Sequence, residues 1–235
     1  IDGDGRFNIN DLQWSYLEGD GDFRSDEVKA LRDEADIIVT NPPFSLFREF
    51  FTWIMEANKK FVIIGNVNAV SYKEIFPYIK ENKIWLGLGF TGGAAHFISN
   101  YQDIATAGNH IEGMIRVSGV VWFTNIDHGR RHQPLALMTM ADNLRFSRHK
   151  ELKGKTAYDH YDNYNAIEVP FTDAIPSDYD GVMGVPISFL DKYCPEQFEI
   201  LGNEYDLNIE RGRGYVNGKR MYSRIFIRKR SLLKS

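Results

Sequence analysis

The residues best placed to do chemistry are Asn41-Pro42-Pro43-Phe44, which follow the apolar run 36–40 and precede an amphipathic pattern. Proline fixes its own φ and holds the residue before it extended, so two in succession stiffen the tetrapeptide. Stiffness matters because groups that act on a reacting centre must be aimed before it arrives. Here the aimed groups are acceptors: the Asn41 side-chain oxygen and the Pro42 backbone oxygen. Together they can take both hydrogens of a planar amino group, such as the exocyclic amine of adenine. The lone pair of that amine is otherwise delocalised into the ring. Holding both hydrogens favours a pyramidal nitrogen whose lone pair points at an electrophile, and a sulfonium methyl then needs no strong base. Phe44 can stack on the base, which contributes roughly 1–3 kcal/mol. Inside a duplex the amine is out of reach, so a duplex substrate implies base flipping.

A second candidate lies one predicted helix upstream, in Gly19-Asp20-Gly21-Asp22-Phe23. An acid in this loop can accept from the amino group of a cofactor's adenine, with Phe23 packed on the ring. Metal chemistry finds no support. The six histidines show no ligand spacing with the single cysteine, Cys194. The Asp/Gly stretch at residues 2–11 lacks the first ligand of a calcium loop.

These candidates need elements to hold them. Ser25 is placed to cap a helix through residue 35. Residues 36–40 read as a buried strand. A helix from Ser45 to about residue 58 would bury Leu46, Phe47, Phe50, Phe51, Ile54 and Met55 on one stripe. A second buried strand is expected at 60–65. A third helix, capped by Ser71, would run to about residue 82 with Ile75, Phe76 and Ile79 inward, before a third strand at 84–88. Strand and helix alternating at this spacing predict right-handed βαβ units and a parallel sheet, with ligands beyond the strands' carboxyl ends. Residues 119–124 would add an antiparallel strand at the edge. Residues 87–113 read as a long connection and 14–17 as a short strand. After residue 127 helical periodicity weakens, and a second, less regular module is expected over 128–235.

The chain has 235 residues and 43% hydrophobic content, enough for one large domain or a domain with an appendage. No apolar run is long enough to span a membrane, and residues 1–10 do not read as a signal peptide. One cysteine excludes an internal disulfide and fits a reducing cytoplasm. Net charge is −4, but residues 1–36 carry eleven acidic and four basic side chains while 211–235 carry nine basic and no acidic ones. Residues 128–155 are also basic, with Arg130 and Arg131 at their start. This polarity suits a polyanion bound away from the acidic end.

With these residues in place, the chain resembles the EcoRI-type adenine-specific DNA methylases over nearly its whole length. The resemblance rests on residues 19–25 and 36–49, which hold the two candidates. It continues through Tyr72-Lys73-Glu74-Ile75-Phe76, Trp122-Phe123-Thr124-Asn125-Ile126-Asp127-His128, Tyr161-Asp162-Asn163-Tyr164, residues 181–186 and residues 195–199. It implies a Rossmann-like class I methyltransferase sheet of α/β class, partial because N-terminal strands are missing, over residues 1–127. A less regular recognition region would occupy 128–235. The implied activity is N6 methylation of adenine at a specific site in double-stranded DNA, with S-adenosylmethionine as cofactor. Asn41, Pro42, Pro43 and Phe44 match the catalytic motif, while Asp22 and Phe23, with Asp20 beside them, match the segment around the cofactor's adenine. Lys73, Arg130, Arg131, Lys219 and Arg220 are the basic residues expected at DNA. The resemblance also implies a cytoplasmic restriction-modification system, with a cognate endonuclease as partner but no direct contact. Nothing upstream of Gly19 corresponds to the family's first strand and cofactor loop, so weak cofactor binding, or none, is expected of this chain. Two alternatives stay open: a DNA-binding remnant without activity, and a methylase of another planar group such as an RNA base or a protein glutamine.

Overall fold

A computed structural model describes residues 15–90, 94–100, 102–104, 108 and 110–230. The Asp/Gly stretch at 2–11 and Trp14 lie outside them. Residues 15–17 form no strand and are exposed.

Helix α1 (Asp26–Glu34) starts where the Ser25 hydroxyl accepts from the Val28 amide at 3.3 Å, with Asp26 and Glu27 in the first turn. Both features satisfy or complement the helix's open N–H groups. Strand β1 (Ile37–Thr40) follows. A 3-10 turn, Phe44–Leu46, leads into α2 (Phe47–Glu56), which buries Phe47, Phe50, Phe51, Trp53 and Ile54. Asn58, at φ 51°, turns the chain out of this helix into β2 (Lys60–Asn66). β2 runs parallel to β1, with Ile37 opposite Lys60 and Thr40 opposite Ile63.

The third helix differs from its expected extent. Residues Val67–Ser71 form a 3-10 turn, and α3 spans only Phe76–Lys80. The Ser71 hydroxyl donates to the Asn68 carbonyl rather than capping the helix. Pro77 fits the first helical turn because its missing N–H is not needed there. Ile75, Phe76 and Ile79 are buried, as their spacing predicts.

Four further strands complete the first half: β3 (Trp85–Leu86), β4 (Ala94–Ile98), β5 (Met114–Ser118) and β6 (Val120–Thr124). The main sheet has the order β1-β2-β6-β3. β6 is therefore interior and antiparallel to both neighbours, not at the edge. Its Val120 and Phe123 are fully buried, and β3, with two residues, makes the edge instead. β1 forms the other edge. It was expected to be buried, yet Ile37 is 53% and Val39 67% exposed, while Ile38 packs on the core. The expected long connection, 87–113, contains β4, which pairs antiparallel with β5 just beyond it.

The second half holds α4 (Met140–Phe146), β7 (Ile167–Glu168), β8 (Met183–Pro186), β9 (Phe198–Asn203), β10 (Tyr215–Val216), β11 (Lys219–Arg220) and β12 (Arg224–Lys229). It is more regular than its sequence texture suggests. A four-stranded sheet runs β7-β8-β12-β9, and β10 and β11 pair as a separate hairpin. The basic C-terminal stretch supplies a central strand, with Ile225, Phe226 and Ile227 at most 1% exposed. Arg224, at the start of that strand, is buried and donates through Nε to Glu168 at 2.9 Å; Tyr161 donates to the same carboxylate. Burial opposes the Arg224 charge, but the Glu168 bonds prevail and hold its pKa above the ordinary value. Removing one partner of such a buried pair costs about 3–5 kcal/mol. One core cluster runs from Phe23 to Ile227 and so joins both halves. Among the described residues no helix is long and apolar enough to cross a membrane.

Candidate functional site

Because β1 and β2 are parallel neighbours, the segments that follow them leave the sheet at the same end. One is Asn41–Phe44 and the other is the turn Val67–Ser71. Asn41 and Pro43 are exposed, Pro42 is buried, and Phe44 is 39% exposed. Neither the Asn41 amide nor the Pro42 carbonyl is engaged by a hydrogen bond among the described residues. The Pro43 carbonyl is engaged, accepting from Leu46 at 3.0 Å and closing the turn into α2. Two acceptors, one on exposed Asn41 and one on buried Pro42, therefore stand without a hydrogen-bond partner among the described residues, on a segment that is fixed at both ends.

The fixing residue on the helix side is Phe47. Its ring packs against Phe51 and Phe123 and lies directly over Gly65 in β2. A Cβ at Gly65 would meet the Phe47 ring at 2.5 Å and Phe123 at 2.8 Å. Glycine is thus required for the helix after Phe44 to settle on the sheet. One residue further, the Arg48 guanidinium lies 4.2 Å from the Tyr72 ring centroid, tying α2 to the loop after β2. Arg48, Ser71, Tyr72, Lys73 and Tyr205 line a depression of about 420 Å³ beside this strand end.

The Gly19–Phe23 loop is held against the same helix. Phe23 is buried, with its ring 5.1 Å from Phe50 and 5.6 Å from Trp53. Its ring packs into the core beside α2. Asp22 is committed to Arg24, whose guanidinium donates at 2.5 Å and pushes the carboxyl down to about 2. Arg24 also reaches Glu49 on α2 at 3.4 Å. Asp20 is exposed and accepts from the Asp22 amide at 3.0 Å. Of the three residues expected at a cofactor, Asp20 alone keeps an open side chain.

The expected DNA-binding residues separate into two kinds. Arg131 is buried, pairs with Asp127 at 3.0 Å, donates to Asn82 and lies 3.7 Å from the Trp85 ring centroid. It holds the end of β6 to the loop before β3, and its side chain is 7% exposed. Arg130 is half exposed and pairs with Asp191 at 2.9 Å. Lys73 is 88% exposed on its side chain and only 3.8 Å from Glu74. Lys219 and Arg220 are exposed and form no ion pair among the described residues.

Sequence reading missed the frame around these last two. β10 and β11 are joined by the two-residue turn Asn217-Gly218, with both φ angles positive at 51° and 73°. An Asn-Gly pair between short strands is a strong hairpin signal, and it was legible in the sequence. Arg48 and Tyr205, which line the depression, carried no such local signal. No group of histidine, cysteine or carboxylate side chains able to hold a metal occurs among the described residues.

The fold and the site define a mixed α/β protein that has two unbonded acceptors and a part-exposed aromatic ring at the carboxyl end of a parallel strand pair. Comparison with known proteins then gives the family. The family described as "Adenine-specific methyltransferase EcoRI" matches residues 1–230, and the chain belongs to it. It is 43% identical to Type II methyltransferase M.EcoRI of Escherichia coli, over 96% of this chain and 67% of that protein. It is 35% identical to Type II methyltransferase M.MgeORF184P of Mycoplasma genitalium, over 96% and 74%. Type II methyltransferase M.MpnI of Mycoplasma pneumoniae is 33% identical, over 95% and 73%. No solved structure matches the chain.

Proposed function

We propose that this chain is a site-specific DNA adenine N6-methyltransferase that uses S-adenosylmethionine. The observation that carries the reading is the pair of open acceptors, the Asn41 amide oxygen and the Pro42 carbonyl, at the strand end. They take the two amino hydrogens of an adenine turned out of the duplex, and the half-exposed Phe44 ring stacks on the base. The nitrogen lone pair is thereby directed away from the ring. S-adenosylmethionine, when bound, supplies a sulfonium methyl group. Among the described residues, the adenosine end of that cofactor finds a carboxylate that suits it. Asp20, on a loop packed against α2, offers an open carboxylate for an exocyclic amine.

The sheet β1-β2-β6-β3 is read as part of a class I methyltransferase sheet, and residues 128–235 as the principal DNA-recognition region. Its exposed cations Lys219 and Arg220, with Lys73 from the first half, are offered to phosphate or base. Such an enzyme works in the cytoplasm, on the DNA that a cognate endonuclease would otherwise cut.

Transfer of labelled methyl groups tests the reading. Duplex DNA is the expected acceptor, and Asn41→Ala should lower the rate on the order of 10²-fold or more while DNA affinity stays within twofold of the parent. Label appearing in RNA or protein would assign another planar group. DNA binding with no transfer at any cofactor concentration would make the chain an inactive binding protein.

A further inference from the structure

The β10–β11 hairpin has a build that phosphate contact alone does not require. Its turn is held by one side chain. The Asp162 carboxylate accepts from the Asn217 amide at 3.0 Å and from the Gly218 amide at 2.7 Å, while its own amide donates to the Tyr215 carbonyl. Asn163 holds the base. Its Oδ1 accepts from the Tyr215 amide at 3.1 Å, and its Nδ2 donates to the Glu210 and Arg213 carbonyls, each at 2.9 Å. One strand of the hairpin is rooted, since Val216 packs with Tyr161, Ile209 and Phe226. The other strand is free, since Lys219 and Arg220 are exposed and Tyr222 beyond them is 85% exposed.

The hairpin also adjoins a chain of depressions that leads to Arg48 of α2 and Tyr72. The depression beside Arg48 and Tyr72 shares Ser71 and Tyr205 with a smaller one that reaches Arg213. That one shares Arg213 and Ser223 with a third, of about 460 Å³, lined by Lys219 and Arg220. A two-stranded ribbon has the width of the DNA major groove, and a type I′ turn gives it the twist to lie there. An arginine presented on a rigid ribbon can bond both major-groove acceptors of a guanine.

Resting on the reading as a DNA methyltransferase, we propose that the β10–β11 hairpin enters the major groove and reads sequence. Arg220 contacts a guanine edge, Lys219 contacts the flanking backbone, and Asp162 and Asn163 are positioning residues that aim both. A pure phosphate clamp would not need its tip and base fixed by two dedicated side chains.

Selection from a pool of random duplexes, with sequencing of the bound fraction, tests this without requiring activity. The parent protein should enrich one motif. Arg220→Ala should lose about tenfold or more of its discrimination at a single G·C pair and keep the rest of the motif. Asp162→Ala should weaken preference at that pair and its neighbours while the rest of the motif is retained. The Arg220→Ala result carries the proposal if Asp162→Ala fails to fold. An unchanged motif in Arg220→Ala, with uniformly weaker binding, overturns the proposal and leaves a phosphate contact. Failure of the parent to enrich any motif overturns it as well. The underlying reading fails separately: an enriched motif in which no adenine becomes methylated would refute the methyltransferase and leave the hairpin assignment standing.

Discussion

At the scale of single residues, the two arginines Arg130 and Arg131 show how far charge alone misleads. Adjacent in sequence and alike in type, they were equal candidates for DNA. Arg131 instead stacks on Trp85 and pairs with Asp127, whereas Arg130 reaches Asp191. Which neighbour was buried depended on a tryptophan far away in sequence, so no local pattern could tell. Asn41, by contrast, was legible because its function needs only a stiff strand end, which proline supplies. The same cluster contains a titrating link. His132 bonds Glu196 at 2.8 Å and Asp127 at 2.9 Å, and these carboxylates, Glu196 first, raise its pKa above 6.5. Asp127 is pushed down to about 2 by Arg131 and His132. A raised histidine pKa stabilises the fold below its unfolded value, and that contribution disappears as pH rises through the folded value. The stability difference between the parent and His132→Gln, followed by denaturant melts, should therefore be largest near pH 5–6 and vanish in alkaline buffer. A difference that grows with pH would refute the assignment.

Elements were legible where local chemistry sets them. Ser25 and its two following acids place the start of α1, and the 3–4 spacing of aromatics places α2. Strand order was not legible, because β6 enters the sheet interior through pairings with β2 and β3 that no local pattern encodes. Nor was β12, whose flanking basic residues hide three buried apolar ones. The contact between α2 and β2 shows what such long-range packing does for the site. Gly65 lets the Phe47 ring lie on the strand, and Phe47 sits three residues after Phe44. Gly65→Ala should cost about 1–3 kcal/mol, as overpacking does. It should also lower methyl transfer more than DNA binding, because the displaced helix start carries Asn41–Phe44 with it. Equal loss of both activities would mean that the substitution loosens the whole fold instead.

On the scale of the whole molecule, the acidic first stretch and the basic last one predicted a surface polarised for a polyanion, and Lys219 and Arg220 on the hairpin are exposed cations of that basic stretch. The sequence's change in texture after residue 127 is not a break in packing, since one core cluster joins both halves. That unity means that a slow chemical change at the hairpin can be followed on the intact protein. Asn-Gly is the dipeptide in which a backbone nitrogen most readily attacks the preceding amide, closing a succinimide and releasing ammonia. Water then opens the ring to aspartate or isoaspartate. The attacking atom would be the Gly218 nitrogen, which here donates to Asp162 at 2.7 Å. The bond that shapes the turn is therefore also a brake on its ageing. Intact-mass measurements on stored protein should show amide-to-acid conversion at Asn217 accumulating several-fold faster in Asp162→Ala than in the parent, and equal rates would show that the bond gives no protection. Each such event places a negative charge beside Lys219 and Arg220, so an old preparation would lose its grip on DNA before it loses its fold.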